Sequence, residues 1–386
     1  MTRITWAGAS ARRLERQFLA TSAKTGTAVA DVVAAMLGAH AQVLSAAELS
    51  VGVRTEGVTR ADVRAALSEG DGRSLVKTHG PRGTVHLLPV AELPVWCAAL
   101  PSIPGAAGSG FAPDVRVTED QADQIVAAIG DALDGVCLTV DELSEEVVAR
   151  TGSWAGDLVM PAFQTLWPRW RQVLHRAGWS GALCFGPNRG RKVTYTRPPH
   201  FTPLPEEEAV RTLVRRYLRA YGPATPAWFA KWLAAPGGWA SGLFRRMAEA
   251  GEIEEVDFEG AGAAWVEAGD AAFPEEPVRG VRLLPYFDAY GIAAQPRERL
   301  FPGAAYQRAL AGGQAGNFPL LLVDGVVAGV WHQRRQGRRT TVTVEPLRRL
   351  TARQERELGE RVERVGEVLE AKPELVIGEV TVGAHA

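Results

Sequence analysis

An α+β fold is predicted, with three tandem winged-helix domains followed by a small C-terminal β-barrel or curled sheet. Three features of the 386-residue chain predict it. A unit of arginine-bearing helix, short apolar strand, glycine-containing turn and second strand occurs three times. Helix start signals precede the copies, and beyond Gly280 the sequence turns strand-like. Three helices with a two-stranded hairpin describe a winged helix, and ordered repetition is more specific than any single copy.

In the first copy, Thr59 is a helix start and Val63 and Leu67 lie on one face. Ser74-Leu-Val-Lys-Thr and Thr84-Val-His-Leu-Leu then flank the turn Gly80-Pro-Arg-Gly83. The second copy runs from about Phe163 to Tyr195, with Gly181-Ala-Leu-Cys-Phe and Lys192-Val-Thr-Tyr flanking Gly186-Pro-Asn-Arg-Gly190. The third runs from Trp239 to Trp265, with strands on either side of Gly260-Ala-Gly262. Thr118 with Gln121, and Thr139 with Glu142, have capping-box spacing, and Pro226 after Thr225 suits a first helical position. The domains expected are 1–112, 113–202, 203–278 and 279–386. In the last, Val281 to Asp288, Phe318 to Val323, Val326 to Trp331 and Thr340 to Val344 read as strands, and Asp324-Gly325 reads as a hairpin turn. Thr351 to Leu369 has helical spacing, and Pro373 follows where that helix should stop.

Composition excludes more than it assigns. Apolar residues at 46% and charged residues at 23% are ordinary for a globular protein. No apolar run approaches a membrane span, and Met1 to Gln17 lacks a secretory h-region. Cys97, Cys137 and Cys184 are widely spaced and imply neither a disulfide framework nor a zinc site. A reduced, cytoplasmic protein with no metal, no cofactor and no obligate protein partner is expected. The net charge of −1 announces no nucleic acid, but the distribution does. Arg189, Arg191 and Lys192 crowd one hairpin turn. Arg334, Arg335, Arg338 and Arg339 surround Gly337 beside Trp331, a cationic tip suited to phosphate or groove contact. The third wing is acidic, with Glu252, Glu254, Glu255, Asp257 and Glu259 and no basic residue between Gly251 and Val278. Phosphate would repel it, so it reads as scaffold.

The stretch from Met36 to Arg54 carries the candidate site. His40 and Gln42 sit in an otherwise small, apolar surround. An unpaired buried polar group costs about 1–3 kcal/mol, so either the core satisfies both or they face a cavity and hold a reactant. No G-x-S-x-G elbow, P-loop or metal-spaced cluster offers an alternative. Lys77 reads as a phosphate contact or an exposed wing residue, His86 as a half-buried strand residue, and Asp288 as a structural hydrogen-bond acceptor rather than a second site carboxylate.

The ordered set Arg13-Leu-Glu-Arg-Gln17, Met36–Arg54, Arg82-Gly-Thr-Val-His-Leu87, Gly186 to Thr194, Tyr217 to Pro226, Val281 to Asp288 and the Trp331 hairpin resembles the AlkZ-like DNA glycosylases across nearly the whole chain. The resemblance implies a C-shaped monomer of tandem winged helices that acts on duplex DNA containing alkylated purines. It implies a monofunctional glycosylase removing N7-alkylated purines and, in some members, unhooking interstrand crosslinks. The family usually carries Gln-x-Gln, or Gln-x-Asp in a sister branch, where this chain has His40-Ala41-Gln42. Gln42 matches the second motif glutamine and His40 replaces the first.

The residues support that chemistry. An N7-alkylated guanine is already cationic and leaves without protonation, so the protein need only hold a water behind C1′ and stabilise the oxocarbenium ion. The Gln42 carboxamide can fix a water, and an imidazole at position 40 can accept its proton. Arg82, Arg189, Arg191, Lys192, Arg334, Arg335, Arg338 and Arg339 are the candidate DNA contacts, which position a protein without specifying sequence. Two other readings stay open: a winged-helix transcription regulator, and a non-catalytic relative that sequesters lesions.

Overall fold

Local signals place most elements. Thr118 and Thr139 each form the reciprocal capping box expected, opening helices Glu119–Ala132 and Val140–Thr151. Pro226 opens helix Pro226–Leu233, with the Thr225 hydroxyl accepting from the Trp228 amide. Thr59 precedes helix Arg60–Leu67, its amide donating to the Asp62 carboxylate at 2.7 Å. The three expected hairpins are present: Leu75–His79 with Val85–Pro89, Cys184–Phe185 with Thr194–Thr196, and Ile253–Phe258 with Gly262–Glu267. The computed structural model describes residues 1–383 except 69, 71, 106–110, 163–164 and 311. Phe163, the expected start of the second copy, lies outside the described residues.

The chain forms two compact units, residues 1–67, 214–232 and 237–386 in one and 68–213 and 233–236 in the other. The first repeat is therefore divided, its helices lying in the first unit and its hairpin in the second. In the second unit Leu75–His79 pairs with Val85–Pro89 on one side and, through Lys77 and Phe185, with Cys184–Phe185 on the other. Two of the expected hairpins thus merge into one sheet, which Leu138–Thr139 extends beside Thr194–Thr196. Helices 119–132 and 140–151 close over a core of Ile125, Ile129, Leu143, Val147, Trp170 and Leu183.

The first unit is built on a five-stranded sheet of Val281–Leu284, Leu320–Val323, Val326–Gln336, Arg339–Pro346 and Lys372–Ile377, adjacent in chain order. Asp324 and Gly325 both have positive φ, +53° and +83°, the geometry of a two-residue hairpin turn. The outer strands are not paired with each other among the described residues, so the sheet is curled and open rather than a closed barrel. Strand Lys372–Ile377 is an addition that sequence reading missed. Pro373 marked only a helix stop, yet proline is tolerated on an edge strand. Helix Ala352–Leu369 lays Leu358, Val362 and Val365 on one face of the sheet beside Leu321, Val323, Val342 and Val344. Leu284, Leu320, Leu322 and Val330 face the other side, against Leu14 and Tyr290. The residue-by-residue switch along Leu320–Val323 is the two-residue period of a strand.

The N-terminus is tied to the acidic hairpin. Arg3–Ile4 pairs parallel with Asp257–Phe258, and the Trp6 amide donates to Glu259 at 2.9 Å. Helix Trp6–Arg16 carries the first resemblance segment, and its polar residues are staples. Arg13 is fully buried and donates to the carbonyls of Gly222, Pro223 and Gln295, and Gln17 donates to Ala220. Burial pushes the Arg13 guanidinium down to about 10. Two family segments far apart in the chain therefore hold each other through buried donors and carbonyls.

Candidate active site and nucleic-acid interface

The segment holding His40 is shaped by its two flanking helices. Helix Val29–Ala35 ends with Leu37 and Gly38 at positive φ, their amides donating to Ala34 and Val33. That closure turns the chain into the short extended pair Ala39–His40. The Tyr221 hydroxyl donates to the Met36 carbonyl at 2.7 Å and holds the turn from behind. Helix Leu44–Gly52 follows, anchored by Leu49 in the sheet core. Gly52 meets Val368 so closely that a Cβ would lie 2.4 Å from its methyl group, which lets this helix press against the C-terminal helix.

His40 and Gln42 therefore have different surroundings. His40 is 9% exposed, and its ring stacks on Phe287 with centroids 4.7 Å apart and planes 29° apart. Gln42 is open to solvent. Phe287 itself stands at φ +54°, a conformation costing a side chain about 1–2 kcal/mol. Its amide donates to Gly316, and the next residue, Asp288, is clamped. The Asp288 carboxylate accepts from the Ser50 hydroxyl at 2.5 Å, from two Arg54 nitrogens at 2.6 and 2.8 Å, and from the Tyr290 amide at 3.0 Å. Arg54 and Asp288 are both fully buried. Asp288 thus has the structural role expected of it, and through it the helix after Gln42 is bolted to the loop bearing Phe287. Sequence reading named no role for Phe287, because 247 positions separate it from His40 and only tertiary packing brings the rings together.

Glu48, on the same helix, is fully buried and paired with Arg64 at 2.6 Å. A cavity of about 280 Å³ in the first unit is lined in part by Arg282 and Arg364. Arg282 donates to the carbonyls of Leu19, Gly280 and Arg279, and Arg364 to those of Gly52, Thr55 and Val58 and to the Glu367 carboxylate. Among the described residues, no group of three or more His, Cys, Asp and Glu could hold a metal ion.

The candidate phosphate contacts fall on three turns. In the first unit, strands Val326–Gln336 and Arg339–Pro346 pair up to Gln336 and Arg339, leaving Gly337-Arg338 as the turn. Arg334, Arg335, Arg338 and Arg339 are all exposed. Arg335 is braced by the carbonyls of Gly337 and Leu369. Trp331 is buried, its indole donating to Leu284, so it roots the hairpin rather than decorating the tip. In the second unit, Arg189 and Lys192 exchange backbone hydrogen bonds around Gly190-Arg191. Arg189 pairs with Glu142 and Lys192 with Asp141, while Arg191 is exposed. Arg82 is half-buried at φ +61° in the turn after Leu75–His79. Lys77 places its ammonium 4.7 Å from the Phe185 ring centroid, and His86 lies buried in its strand.

A family profile described as DNA glycosylase AlkZ-like matches residues 33–368. An interstrand DNA cross-link repair glycosylase from Streptomyces sahachiroi is 32% identical over 337 residues, 85% of this chain and 88% of that protein. The solved structure of the Streptomyces sahachiroi DNA glycosylase AlkZ superposes with a TM-score of 0.80 at 30% identity. It covers 98% of this chain and 100% of its own.

Proposed function

Since the chain belongs to the AlkZ-like DNA glycosylases, we propose that it hydrolyses the N-glycosidic bond of N7-alkylated purines in duplex DNA, interstrand crosslinks included. The cross-link repair activity for which the Streptomyces sahachiroi relative is named supports the crosslink part of that reading. The stacking of His40 on Phe287, two residues before Gln42, carries the mechanistic part.

In this reading Gln42 orients a water and His40 accepts its proton. The water oxygen bonds to C1′ as the C1′–N9 bond breaks, and the bonding electrons neutralise the cationic base. The product is an abasic sugar and a neutral 7-alkylpurine. The stacked ring limits the orientations open to the imidazole, which is what a base must have before substrate arrives. The basic turns of residues 82, 189–192 and 334–339 hold the phosphates. The acidic hairpin, tied to the N-terminal strand, serves as scaffold, and the domains 1–112, 113–202, 203–278 and 279–386 belong to the same proposal.

Duplexes bearing an N7-methylguanine or a bulky N7 adduct, scored for abasic sites, test the substrate. Single-turnover rates of His40→Ala and Gln42→Ala test the mechanism. A loss of about 10²–10⁴-fold is expected for His40→Ala, and wild-type rates in both variants would end the assignment. Tight lesion binding without base release would point to the sequestering alternative.

A further inference from the structure

Two costly features stand side by side next to the His40 ring. Phe287, on which that ring stacks, holds a positive φ. Its neighbour Tyr286 carries a buried hydroxyl that makes no hydrogen bond among the described residues. Two other tyrosines buried in the same unit are partnered. Tyr221 donates to the Met36 carbonyl at 2.7 Å, and the Tyr290 hydroxyl lies 3.4 Å from that of Ser10. A sealed, unpaired hydroxyl has given up water and gained nothing in exchange, so its presence in a fold calls for a reason. Tyr286 as a whole is only half-buried, so it stands at the protein surface with its hydroxyl turned inward.

The backbone around Tyr286 is held on both sides. It follows strand Val281–Leu284, the Phe287 amide donates to Gly316, and Asp288 is clamped by Ser50 and Arg54. The Tyr286 and Phe287 rings have centroids 6.2 Å apart and planes 44° apart. Tyr286, Phe287 and His40 therefore form one row of rings, with Phe287 in the middle. Burial raises the phenol above its ordinary value, so near neutral pH Tyr286 is a hydrogen-bond donor and not an anion.

We propose that Tyr286 is a further catalytic residue, its hydroxyl donating to an acceptor atom of the departing purine. As the C1′–N9 bond breaks, its electron pair passes into the cationic base and raises the electron density on acceptors such as O6 and N3 of guanine. A hydrogen bond to either atom strengthens as the bond opens, which lowers the barrier rather than merely tightening binding. The phenolic proton stays on Tyr286 throughout, while the proton of the water goes to His40. Reaching the base draws the hydroxyl out of its cover, and that exchange forfeits no hydrogen bond because the hydroxyl has none to lose. This role rests on base release at the His40 site and names what meets the leaving group there.

Tyr286→Phe removes the oxygen and keeps the ring. The full-length variant and wild type are compared on a duplex holding one 7-methylguanine, in single turnovers with saturating protein, and by thermal melting. The variant is expected to melt higher, since it buries one unsatisfied group fewer, and to release base about tenfold more slowly with unchanged affinity for the duplex. The slowing should be the same factor from about pH 6 to about pH 9, where a phenol does not titrate. A wild-type rate in the variant would overturn the role. So would a slower rate joined to a lower melting midpoint, the mark of a hydroxyl that the fold itself uses. A rate profile displaced along the pH axis would overturn it as well, because the ring would then act through the stack on His40. A second measurement needs no catalysis. With 3-fluorotyrosine at position 286, a duplex carrying 7-methylguanine on a 2′-fluorinated sugar, which resists cleavage, should move the fluorine resonance further than undamaged duplex does. Equal shifts would overturn the contact. Wild-type protein that releases no base would instead overturn the glycosylase reading, and the Tyr286 role with it.

Discussion

Asp288 is a buried carboxylate that braces the proposed site without touching it. Four donors surround it, and the Arg54 partner has no access to water. Removing one member of such a pair strands the other charge, at about 3–5 kcal/mol. Asp288→Ala is therefore expected to lower the thermal midpoint sharply and to slow base release through the Phe287–His40 stack, checked by calorimetry beside single-turnover kinetics. His79 gives a second residue-scale prediction. Burial, aided by the neighbouring His175, pushes its imidazole down to about 4. The folded state thus holds His79 neutral while the unfolded chain takes up a proton near pH 6.5. Stability contributed by the neutral ring is whole above pH 6.5 and is lost as pH falls toward 4, on the order of 3 kcal/mol. A melting midpoint that tracks this window, and flattens in His79→Gln, is the expected result. From the sequence the pairing of His40 with Gln42 was legible as an anomaly in an apolar stretch. The Phe287 stack and the Arg54–Asp288 clamp were not, since nothing local marks partners more than two hundred residues apart.

Hairpins are the elements through which, in the proposed reading, this chain meets its substrate. Their turns were readable because glycine and Asp-Gly announce positive φ, and the strands on either side fell where alternation placed them. Strand Lys372–Ile377 and the antiparallel pair of Leu158–Pro161 with Leu166–Pro168 were not readable. The first is made by pairing with a strand already present, and the second carries no buried face to impose alternation. Replacing Arg334, Arg335, Arg338 and Arg339 by alanine should weaken binding to undamaged duplex. It should also flatten the plot of log affinity against log salt, by about 0.9 for each phosphate that is no longer neutralised. Titrations by fluorescence anisotropy between low and moderate salt would show it. An unchanged slope would remove this hairpin from the interface.

Over the whole molecule, a net charge of −1 conceals an uneven distribution. The turn at residues 189–192 and the sheet hairpin are cationic, while the hairpin Ile253–Glu267 is acidic; Glu252 just before it pairs with Arg215, and Glu259 in its turn with the Trp6 amide and Arg299. Glu254→Gln with Glu255→Gln should leave affinity for undamaged duplex within about twofold at moderate salt, where charges more than a Debye length from a phosphate are screened. A marked gain or loss in the same anisotropy assay would show that the acidic hairpin lies against DNA.

Amino-acid order by itself determined the three repeated hairpins, the capped helices before them, the cationic turns and the family. Each of these is written in residues a few positions apart, where backbone sterics and short hydrogen bonds decide. Only the tertiary structure decided that two hairpins share one sheet, that the N-terminal strand joins the acidic hairpin, and that His40 lies on Phe287. Those arrangements come from burying apolar faces against distant segments, and burial has no direction along the chain to betray its partner in advance.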